Sequence, residues 1–202
     1  MSNLANRMTV SRFTIWMPIF VISSLLAMGL QIKWLWVVSI ISFSVAAILD
    51  FLDGRVARSS NGRITVFGQQ MDPVADKIVI TMGLLVANMA GVLPFWITMI
   101  SVYRDHVMNG IRAVVLSQKG EVISASRWGK YKTFLQFVGL IILFVVAAKT
   151  NFLPNYILWL IGQGIMYITV GLTIWSLKNY YKNNKETITD SFEGKPVSKK
   201  LD

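Results

Sequence analysis

The 202-residue sequence contains no cysteine and a single histidine, His106. The lack of cysteine excludes disulfide bonds and thiolate metal sites, and one histidine cannot supply a site built from several imidazole ligands. Any metal ion in this protein must therefore be held by oxygen atoms. We expect His106 to be a polar helix residue and give it no catalytic role.

Acidic residues are also scarce, with 10 Asp and Glu against 20 Lys and Arg. Four of the acids lie between residues 50 and 76, and the other six are Asp105, Glu121, Glu186, Asp190, Glu193 and Asp202. The formal net charge of +10 favours anionic partners. Because the basic residues are interleaved with apolar runs, we expect lipid headgroups or phosphorylated substrates as these partners, and no nucleic acid.

Long polar stretches are missing from most of the chain, since 54% of it is hydrophobic. The apolar residues form blocks of about 20 residues, the length of helix that crosses a bilayer. The sequence therefore predicts an all-α, polytopic membrane protein with six transmembrane helices between residues 13 and 177. The predicted spans are residues 13–30, 34–58, 72–90, 94–116, 131–148 and 156–177.

Proline and glycine mark the expected ends of these helices. Pro18 is expected to kink the first span near its first turns, and Gln31 to follow its end. Pro73 is predicted to stand at the first position of the third helix, a position that proline favours. Loops are predicted at residues 59–68, 91–94, 117–132 and 149–155.

The two ends of the chain are polar. Residues 1–12 are predicted to form a basic segment with a short amphipathic helix on the membrane surface, and residues 178–202 a polar tail. Six spans place both ends on one side, and all the Lys and Arg except Lys33 and Lys149 fall on that side. Positive charges concentrate on the cytoplasmic side of membrane proteins. We therefore expect a multi-pass cell-membrane protein whose termini and active site are cytoplasmic.

The four clustered acids are two pairs at helical spacing. Asp50 and Asp53 are three residues apart, and Asp72 and Asp76 are four apart, so each pair shares a face if its segment is helical. An aspartate at the bilayer centre costs about 3 kcal/mol, so we expect the four near the interface and neutralised. Ion pairs with nearby arginines would neutralise one aspartate, whereas four at these spacings favour a bound cation. A hard ion such as Mg²⁺ or Mn²⁺ prefers such oxygen ligands.

The four aspartates belong to a longer pattern, D-x2-D-G-x2-A-R-x9-G-x3-D-x3-D. Its fixed positions are filled by Asp50, Asp53, Gly54, Ala57, Arg58, Gly68, Asp72 and Asp76. This pattern resembles the signature of the CDP-alcohol phosphatidyltransferase family, membrane enzymes that transfer a phosphatidyl group from a CDP-linked lipid to an alcohol and release CMP. The span plan is similar as well, because the family resembles a six-helix bundle with its site at the cytoplasmic edge.

The resemblance implies roles for these residues. Two Mg²⁺ or Mn²⁺ ions would be held by Asp50, Asp53, Asp72 and Asp76, and Asp76 would also be the base for the acceptor hydroxyl. The CDP-linked lipid would be bound by Asp50, Asp53, Gly54, Ala57, Arg58 and Gly68. The small residues would let cytidine approach the backbone, although they would equally serve helix packing. Arg58 would equally be an arginine that extends to the membrane surface.

Three further segments resemble the phosphatidylglycerophosphate synthase branch of the family: N-x-M-T-x-x-R ending at Arg12, R-D-x4-G-x-R beginning at Arg104, and G-K-x-K-T beginning at Gly129. The resemblance implies CDP-diacylglycerol as donor and sn-glycerol 3-phosphate as acceptor. The acceptor phosphate would be bound by Thr9, Arg12, Arg104, Arg112, Lys130 and Lys132. An acceptor with its own phosphate explains these extra cations, which serine would not need. Asp105 is a departure, because the branch commonly has Glu there.

Other interpretations stay open at this point. The same family could use inositol phosphate, phosphatidylglycerol or serine as acceptor. A cation transporter would also carry intramembrane aspartates, although acids at one edge do not line a path across the bilayer. A non-catalytic membrane anchor is a third interpretation. Gly83, Ala87 and Gly91 form a small-x3-small series that predicts helix packing or a homodimer contact.

Overall fold

The computed structural model describes residues 10–59, 66–119, 127–148 and 155–185, together with residues 189 and 191. Over these residues the chain forms six α-helices and no β-strand, which confirms the predicted all-α fold. The helices are α1 (Met17–Leu30), α2 (Lys33–Ser59), α3 (Val66–Met89), α4 (Phe95–Lys119), α5 (Arg127–Ala147) and α6 (Asn155–Asn183).

A single π-helical turn, Arg12–Trp16, leads directly into α1. The backbone N–H of Met17 donates to the carbonyl of Arg12, five residues earlier, as a π turn requires. Pro18, which lacks a backbone N–H, is the second residue of α1 and follows this π turn within one uninterrupted helical segment. The wider turn before Pro18 therefore keeps the helix continuous. At the other end, Gln31 adopts the left-handed conformation, with φ of 55°, and ends α1 as predicted.

An aromatic core joins the first helical hairpin to α5. The ring of Phe20 on α1 lies 5.0 Å from that of Phe43 on α2 and 5.3 Å from that of Phe144 on α5, measured between centroids. Phe43 also contacts Phe137, at 5.6 Å. Aromatic pairs at these separations add to the gain from burial. Helix α5 packs against α2, α3 and α6, so it is central to the bundle.

Gly83 lets α3 approach this core closely. A Cβ atom at Gly83 would lie 2.7 Å from Cε2 of Phe43 and 3.0 Å from Cδ1 of Leu140, so no larger residue fits without a shift. Ala87, one turn later, is fully buried. Gly91 ends the segment in the tight turn predicted there, with φ of 72°. Two members of the small-x3-small series thus pack inside the bundle, and the third makes a turn.

Helices α4 and α6 lie side by side and run in the same direction. Gln163 donates from Nε2 to the carbonyl of Val92 at 2.5 Å, just before α4 begins. One turn further along both helices, the rings of Trp96 and Tyr167 stack with centroids 5.7 Å apart. Each contact joins residues 71 positions apart in the chain, so the two parallel helices stay in register.

The exterior of the bundle is apolar. Every helix exposes large apolar side chains, among them Ile22, Ile41, Met89, Met99, Phe134 and Ile168. Within the described segments, two stretches are long and apolar enough to cross a membrane, Lys33–Asp50 and Tyr156–Asn183. Three shorter apolar helical stretches are Thr14–Leu30, Lys77–Met89 and Tyr131–Ala147. Serine, threonine and glutamine occupy interior positions instead, such as Ser24, Thr98 and Gln136. This distribution fits contact with lipid.

Three predicted helix boundaries are wrong. Helix α3 begins at Val66, so Pro73 lies inside the helix and Gly68 is not in a loop. An interior proline loses its backbone N–H and crowds the carbonyl four residues earlier, but its φ is compatible with a helix, and here the helix continues through Pro73. Helix α5 begins at Arg127 and includes the last residues of the predicted polar loop. Helix α6 continues to Asn183, six residues into the predicted tail, because a polar sequence does not by itself end a helix.

Candidate active site

The four aspartates of the motif lie on α2 and α3. Asp50 and Asp53 both belong to α2, which stays helical to Ser59, and Asp72 and Asp76 both belong to α3. The helical backbone therefore keeps the predicted spacing of each pair. The side chain of Asp50 is 19% exposed, as expected at an edge of the bundle. For the other three aspartates the structure describes the helical backbone only. The same holds for Gly54, Ala57, Arg58 and Gly68.

Asp50 is paired with Arg12. The guanidinium of Arg12, in the π turn, donates from Nη1 to Oδ1 of Asp50. Arg12 is among the largest fully buried side chains, with 1% exposure, so its charge needs such a partner. The pair joins a predicted ligand of the acceptor phosphate to a predicted metal ligand. The sequence had placed these two residues in different parts of the site.

A second ionic cluster lies between α4 and α5. Arg104 donates from Nη1 to Oδ1 of Asp105 at 2.8 Å, and Lys132 donates from Nζ to the same oxygen at 2.9 Å. Lys132 is 3% exposed. This carboxylate holds two of the predicted acceptor-phosphate ligands together. Lys130 belongs to the same helix, but its side chain lies outside the described residues, and so does Thr9.

Sequence reasoning missed Ser176 on α6. Its hydroxyl oxygen accepts a hydrogen bond of 2.9 Å from Nη2 of Arg104, in the same register as the other contacts between α4 and α6. One signal was available, because Thr169, Thr173 and Ser176 recur at spacings of four and three in a largely apolar part of α6. Such spacing places polar groups on one helix face.

Arg112 and His106 complete the polar residues of α4. Arg112 is half-buried, and its buried Nε has no hydrogen-bond partner among the residues that the structure describes. It lies eight residues, about two turns, beyond Arg104. His106 is exposed, and its Nδ1 lies 2.8 Å from the carbonyl oxygen of Val102 in its own helix. No structural observation gives His106 a part in the site.

The charges of the second cluster favour an anion. Arg104 and Lys132 carry two positive charges and Asp105 one negative charge, so the three side chains keep a net charge of +1. Arg112 adds another positive charge further along α4. Guanidinium and ammonium groups in such a setting bind phosphate through charge-assisted hydrogen bonds. The cluster is therefore suited to a phosphorylated ligand.

The metal prediction has only a partial structural test. The part of the chain with described side chains contains no group of three or more His, Asp or Glu placed to hold a metal ion. Of the four predicted ligands, only Asp50 belongs to that part. The chemistry of the donor set fits a hard divalent cation, because two helices each bring a pair of carboxylates at one helical turn.

The family comparison agrees with the motif and the helical bundle. The family described as CDP-alcohol phosphatidyltransferase matches residues 2–175, which include all six helices apart from the end of α6. The chain belongs to this family. Its apolar helices and its membership together place it among membrane-associated proteins.

Three relatives in this family carry one name, CDP-diacylglycerol–glycerol-3-phosphate 3-phosphatidyltransferase. The protein of Bacillus subtilis strain 168 is 30% identical over 200 residues, covering 95% of this chain and 100% of the relative. The protein of Mycoplasma genitalium is 30% identical over 197 residues, covering 88% and 81%. An Arabidopsis thaliana protein, numbered 2 under that name, is 34% identical over 156 residues, covering 69% and 64%.

Proposed function

We propose that this protein transfers a phosphatidyl group from CDP-diacylglycerol to sn-glycerol 3-phosphate, forming phosphatidylglycerol phosphate and CMP. The names of bacterial and plant relatives, which match over most of the chain, support this reaction. The observation that carries the acceptor assignment is the cationic cluster of Arg104, Asp105 and Lys132. It joins residues from two of the segments that resemble the synthase branch.

Asp76 is the base in this proposal. Its carboxylate takes the proton of an acceptor hydroxyl, and the hydroxyl oxygen forms a bond to the phosphorus that carries the diacylglycerol. The bond between that phosphorus and the bridging oxygen of the pyrophosphate breaks, and its electron pair leaves with CMP. General-base catalysis of this kind needs a carboxylate within hydrogen-bonding reach of the hydroxyl.

Asp50, Asp53, Asp72 and Asp76 would hold two divalent ions, Mg²⁺ or Mn²⁺. When bound, such ions neutralise the pyrophosphate charge and stabilise the departing phosphate oxygen. Gly54, Ala57 and Gly68 would leave space for the nucleotide near the backbone, and Arg58 would pair with a phosphate of the CDP-linked lipid. Support for these roles comes from the motif and from the helical spacing of the aspartates.

The acceptor phosphate would be bound at the cationic cluster. Lys132 and Arg104 are held by Asp105 with a net charge of +1, and Arg112 lies further along α4. A neutral acceptor such as serine would leave this charge without a counterion among the described side chains. An acceptor with a phosphate group neutralises it, which favours sn-glycerol 3-phosphate over the neutral alcohols.

All six helices would cross the membrane, with both termini and the active site on the cytoplasmic side. The apolar exterior of each helix supports this arrangement, and so does the concentration of Lys and Arg on one side of the predicted spans. A homodimer is also part of the proposal, because exposed apolar surfaces on α4 and α6 could pack against a second copy in the bilayer.

Product identification tests the reaction directly. The purified chain is supplied with CDP-diacylglycerol, Mg²⁺ and one acceptor at a time: sn-glycerol 3-phosphate, inositol phosphate, serine or phosphatidylglycerol. We expect mass spectrometry to find phosphatidylglycerol phosphate and CMP with the first acceptor only. A lipid product with another acceptor would replace this assignment within the family, and cation flux in proteoliposomes without CMP would indicate a transporter.

The role of Asp76 has a matched control. We expect Asp76→Asn to abolish CMP release while the binding of CDP-diacylglycerol persists, and Asp190→Asn in the tail to leave both unchanged. Undiminished turnover in the first variant would exclude Asp76 as the base. Because the chain has no cysteine, single variants such as Gln118→Cys and Asn151→Cys report the topology by labelling from either side of the membrane.

A further inference from the structure

We infer that Ser176 on α6 is a positioning residue for the acceptor phosphate and acts by holding the guanidinium of Arg104. The inference rests on the proposed function, because it needs a phosphorylated acceptor at the cationic cluster. Arg104 and Arg112 lie on α4, and Lys130 and Lys132 lie on α5. Ser176 adds α6 as a further helix to this part of the predicted site. The inference also gives a function to a residue outside every motif considered above.

The guanidinium of Arg104 is fixed at two points. Nη1 donates to Asp105 at 2.8 Å and Nη2 donates to Ser176 at 2.9 Å, so its plane cannot rotate without losing one of the two bonds. Each terminal nitrogen carries a second N–H, and the planar group presents these in a fixed direction. A phosphate that approaches from that direction meets donors that are already oriented.

The Ser176 hydroxyl is used differently from its neighbours on α6. Thr169 donates to the carbonyl of Met166 at 2.7 Å, and Thr173 donates to the carbonyl of Thr169 at 2.6 Å, so both hydroxyls bond within their own helix. The Ser176 hydroxyl instead meets a charged group of α4. Ser176 is 8% exposed, so little water competes for this bond.

Arg104 transmits the effect of Ser176 to Lys132. Both cations donate to Oδ1 of Asp105, and therefore a shift of the guanidinium changes the position or the charge balance of that oxygen. The buried Nε of Arg104 has no hydrogen-bond partner among the described residues, so this arginine depends on its two terminal contacts. Ser176 thus supports the geometry of two acceptor-phosphate ligands through a single hydrogen bond.

The test compares Ser176→Ala with Ser176→Thr in the full-length protein, using CDP-diacylglycerol and sn-glycerol 3-phosphate. Ser176→Ala removes a hydrogen bond to a charged group. We expect it to raise the KM for sn-glycerol 3-phosphate about tenfold. We expect kcat and the KM for CDP-diacylglycerol to change less than about twofold, since a role in packing would not single out one substrate. Threonine keeps the hydroxyl and is expected to restore the acceptor KM.

Two controls separate positioning from a general loss of structure. Ser24→Ala removes another buried hydroxyl, one that bonds to the carbonyl of Phe20 at 2.7 Å on α1, and is expected to leave the acceptor KM unchanged. Residues that act as one unit are not additive. If Ser176 acts through Arg104, then adding Ser176→Ala to an Arg104→Gln variant changes the acceptor KM no further.

The outcomes distinguish this inference from the proposed function. A wild-type protein that forms phosphatidylglycerol phosphate, with an unchanged acceptor KM in Ser176→Ala, overturns the role of Ser176 and leaves the reaction in place. Additive effects of the Ser176 and Arg104 variants overturn the route through Arg104. A wild-type protein that neither binds nor uses sn-glycerol 3-phosphate overturns the proposed function, and this inference with it.

Discussion

The two carboxylates with described ionic contacts, Asp50 and Asp105, have different environments. Among the described side chains, Asp50 on α2 meets one buried guanidinium, that of Arg12, and these two charges cancel. Asp105 on α4 meets two cations, Arg104 and Lys132, and the cluster keeps a charge of +1. Both carboxylates are about one-fifth exposed, with 19% and 20% of the side chain accessible. Among the described contacts, the two carboxylates differ in the number of cations they meet and not in burial.

The difference in charge between the two groups suits them to different ligands, a cation at Asp50 and an anion at the cluster around Asp105. Under the proposed function, Asp50 would exchange Arg12 for a metal ion, whereas Asp105 would hold Arg104 and Lys132 for a phosphate. The cost of bringing charges out of water is similar for the Arg12–Asp50 pair and for the cluster around Asp105. We therefore expect the net charge of each group to select its ligand. The following variants test this contrast in order of expected effect.

Removing the shared carboxylate has the largest expected effect. Asp105→Ala removes the carboxylate that Arg104 and Lys132 share, and breaking such a partly buried cluster costs about 4 kcal/mol. We expect the free energy of unfolding, measured by denaturant titration in detergent, to fall by this amount. Asp105→Glu keeps the charge and should lose much less, so equal losses in the two variants would contradict the ionic explanation.

Removing the partner of Asp50 comes next. Arg12→Ala breaks a buried pair and is expected to lower the free energy of unfolding by about 3 kcal/mol. It also removes a positive charge beside Asp50, which strengthens the attraction of that carboxylate for a cation. We therefore expect the half-saturating Mg²⁺ concentration to fall while the KM for sn-glycerol 3-phosphate rises.

Arg12→Lys is the matched variant for that prediction. It keeps the charge but loses the planar guanidinium, so the half-saturating Mg²⁺ concentration should stay near that of the wild type. A rise in the Mg²⁺ requirement of Arg12→Ala would show that Arg12 supports metal binding instead of competing with it. The contrast between the two carboxylates would then fail.

The uncharged contact between Gly83 and Phe43 shows how a loss of core packing, without a change of charge, affects stability and KM. Gly83→Ala places a Cβ 2.7 Å from the Phe43 ring, and overpacking of this kind costs about 2 kcal/mol. We expect a lower unfolding temperature with unchanged KM for both substrates. Gly171→Ala on α6 is the control, since a Cβ there meets nothing within 4 Å. A changed acceptor KM in Gly83→Ala would mean that core packing also controls the site.

The smallest expected effect is on a hydroxyl pair between α1 and α2. Ser23 and Ser39 share a hydrogen bond of 2.8 Å between their hydroxyl oxygens. Such a bond between membrane helices contributes about 0.6 kcal/mol. We expect Ser23→Ala to lower the free energy of unfolding by about this amount, with no additional loss when Ser39→Ala is combined with it. Losses that simply add would show that the pair is not coupled.

Over the described residues, the number of helices equals the number of apolar blocks predicted from the sequence, because apolar blocks and turn residues determine it. Gln31 and Gly91 adopt positive φ angles where ends were expected. The errors fall where the chain is polar, as at Arg127, the start of α5. In such segments the position of a helix end depends on contacts with distant residues. Lys132, for example, donates a hydrogen bond to Asp105, which lies 27 positions earlier in the chain. Local composition does not contain that information.

The candidate site was predictable where its residues are neighbours in the chain. The spacings of Asp50 with Asp53 and of Asp72 with Asp76 follow from the helical repeat alone. The contacts of Arg12 with Asp50 and of Arg104 with Ser176 join residues 38 and 72 positions apart. Those contacts depend on how the helices pack, which a single sequence does not specify.

The parallel register of α4 and α6 has a consequence for how the protein is made. Arg104 lies 72 residues before Ser176, and Val92 lies 71 residues before Gln163. During synthesis, α4 therefore leaves the ribosome before α5 and α6. Arg104 spends this interval without one of its two partners. Of the six described helices, α6 is the last to leave the ribosome and completes the cationic cluster. A chain truncated before residue 176 would lack the contact between Arg104 and Ser176.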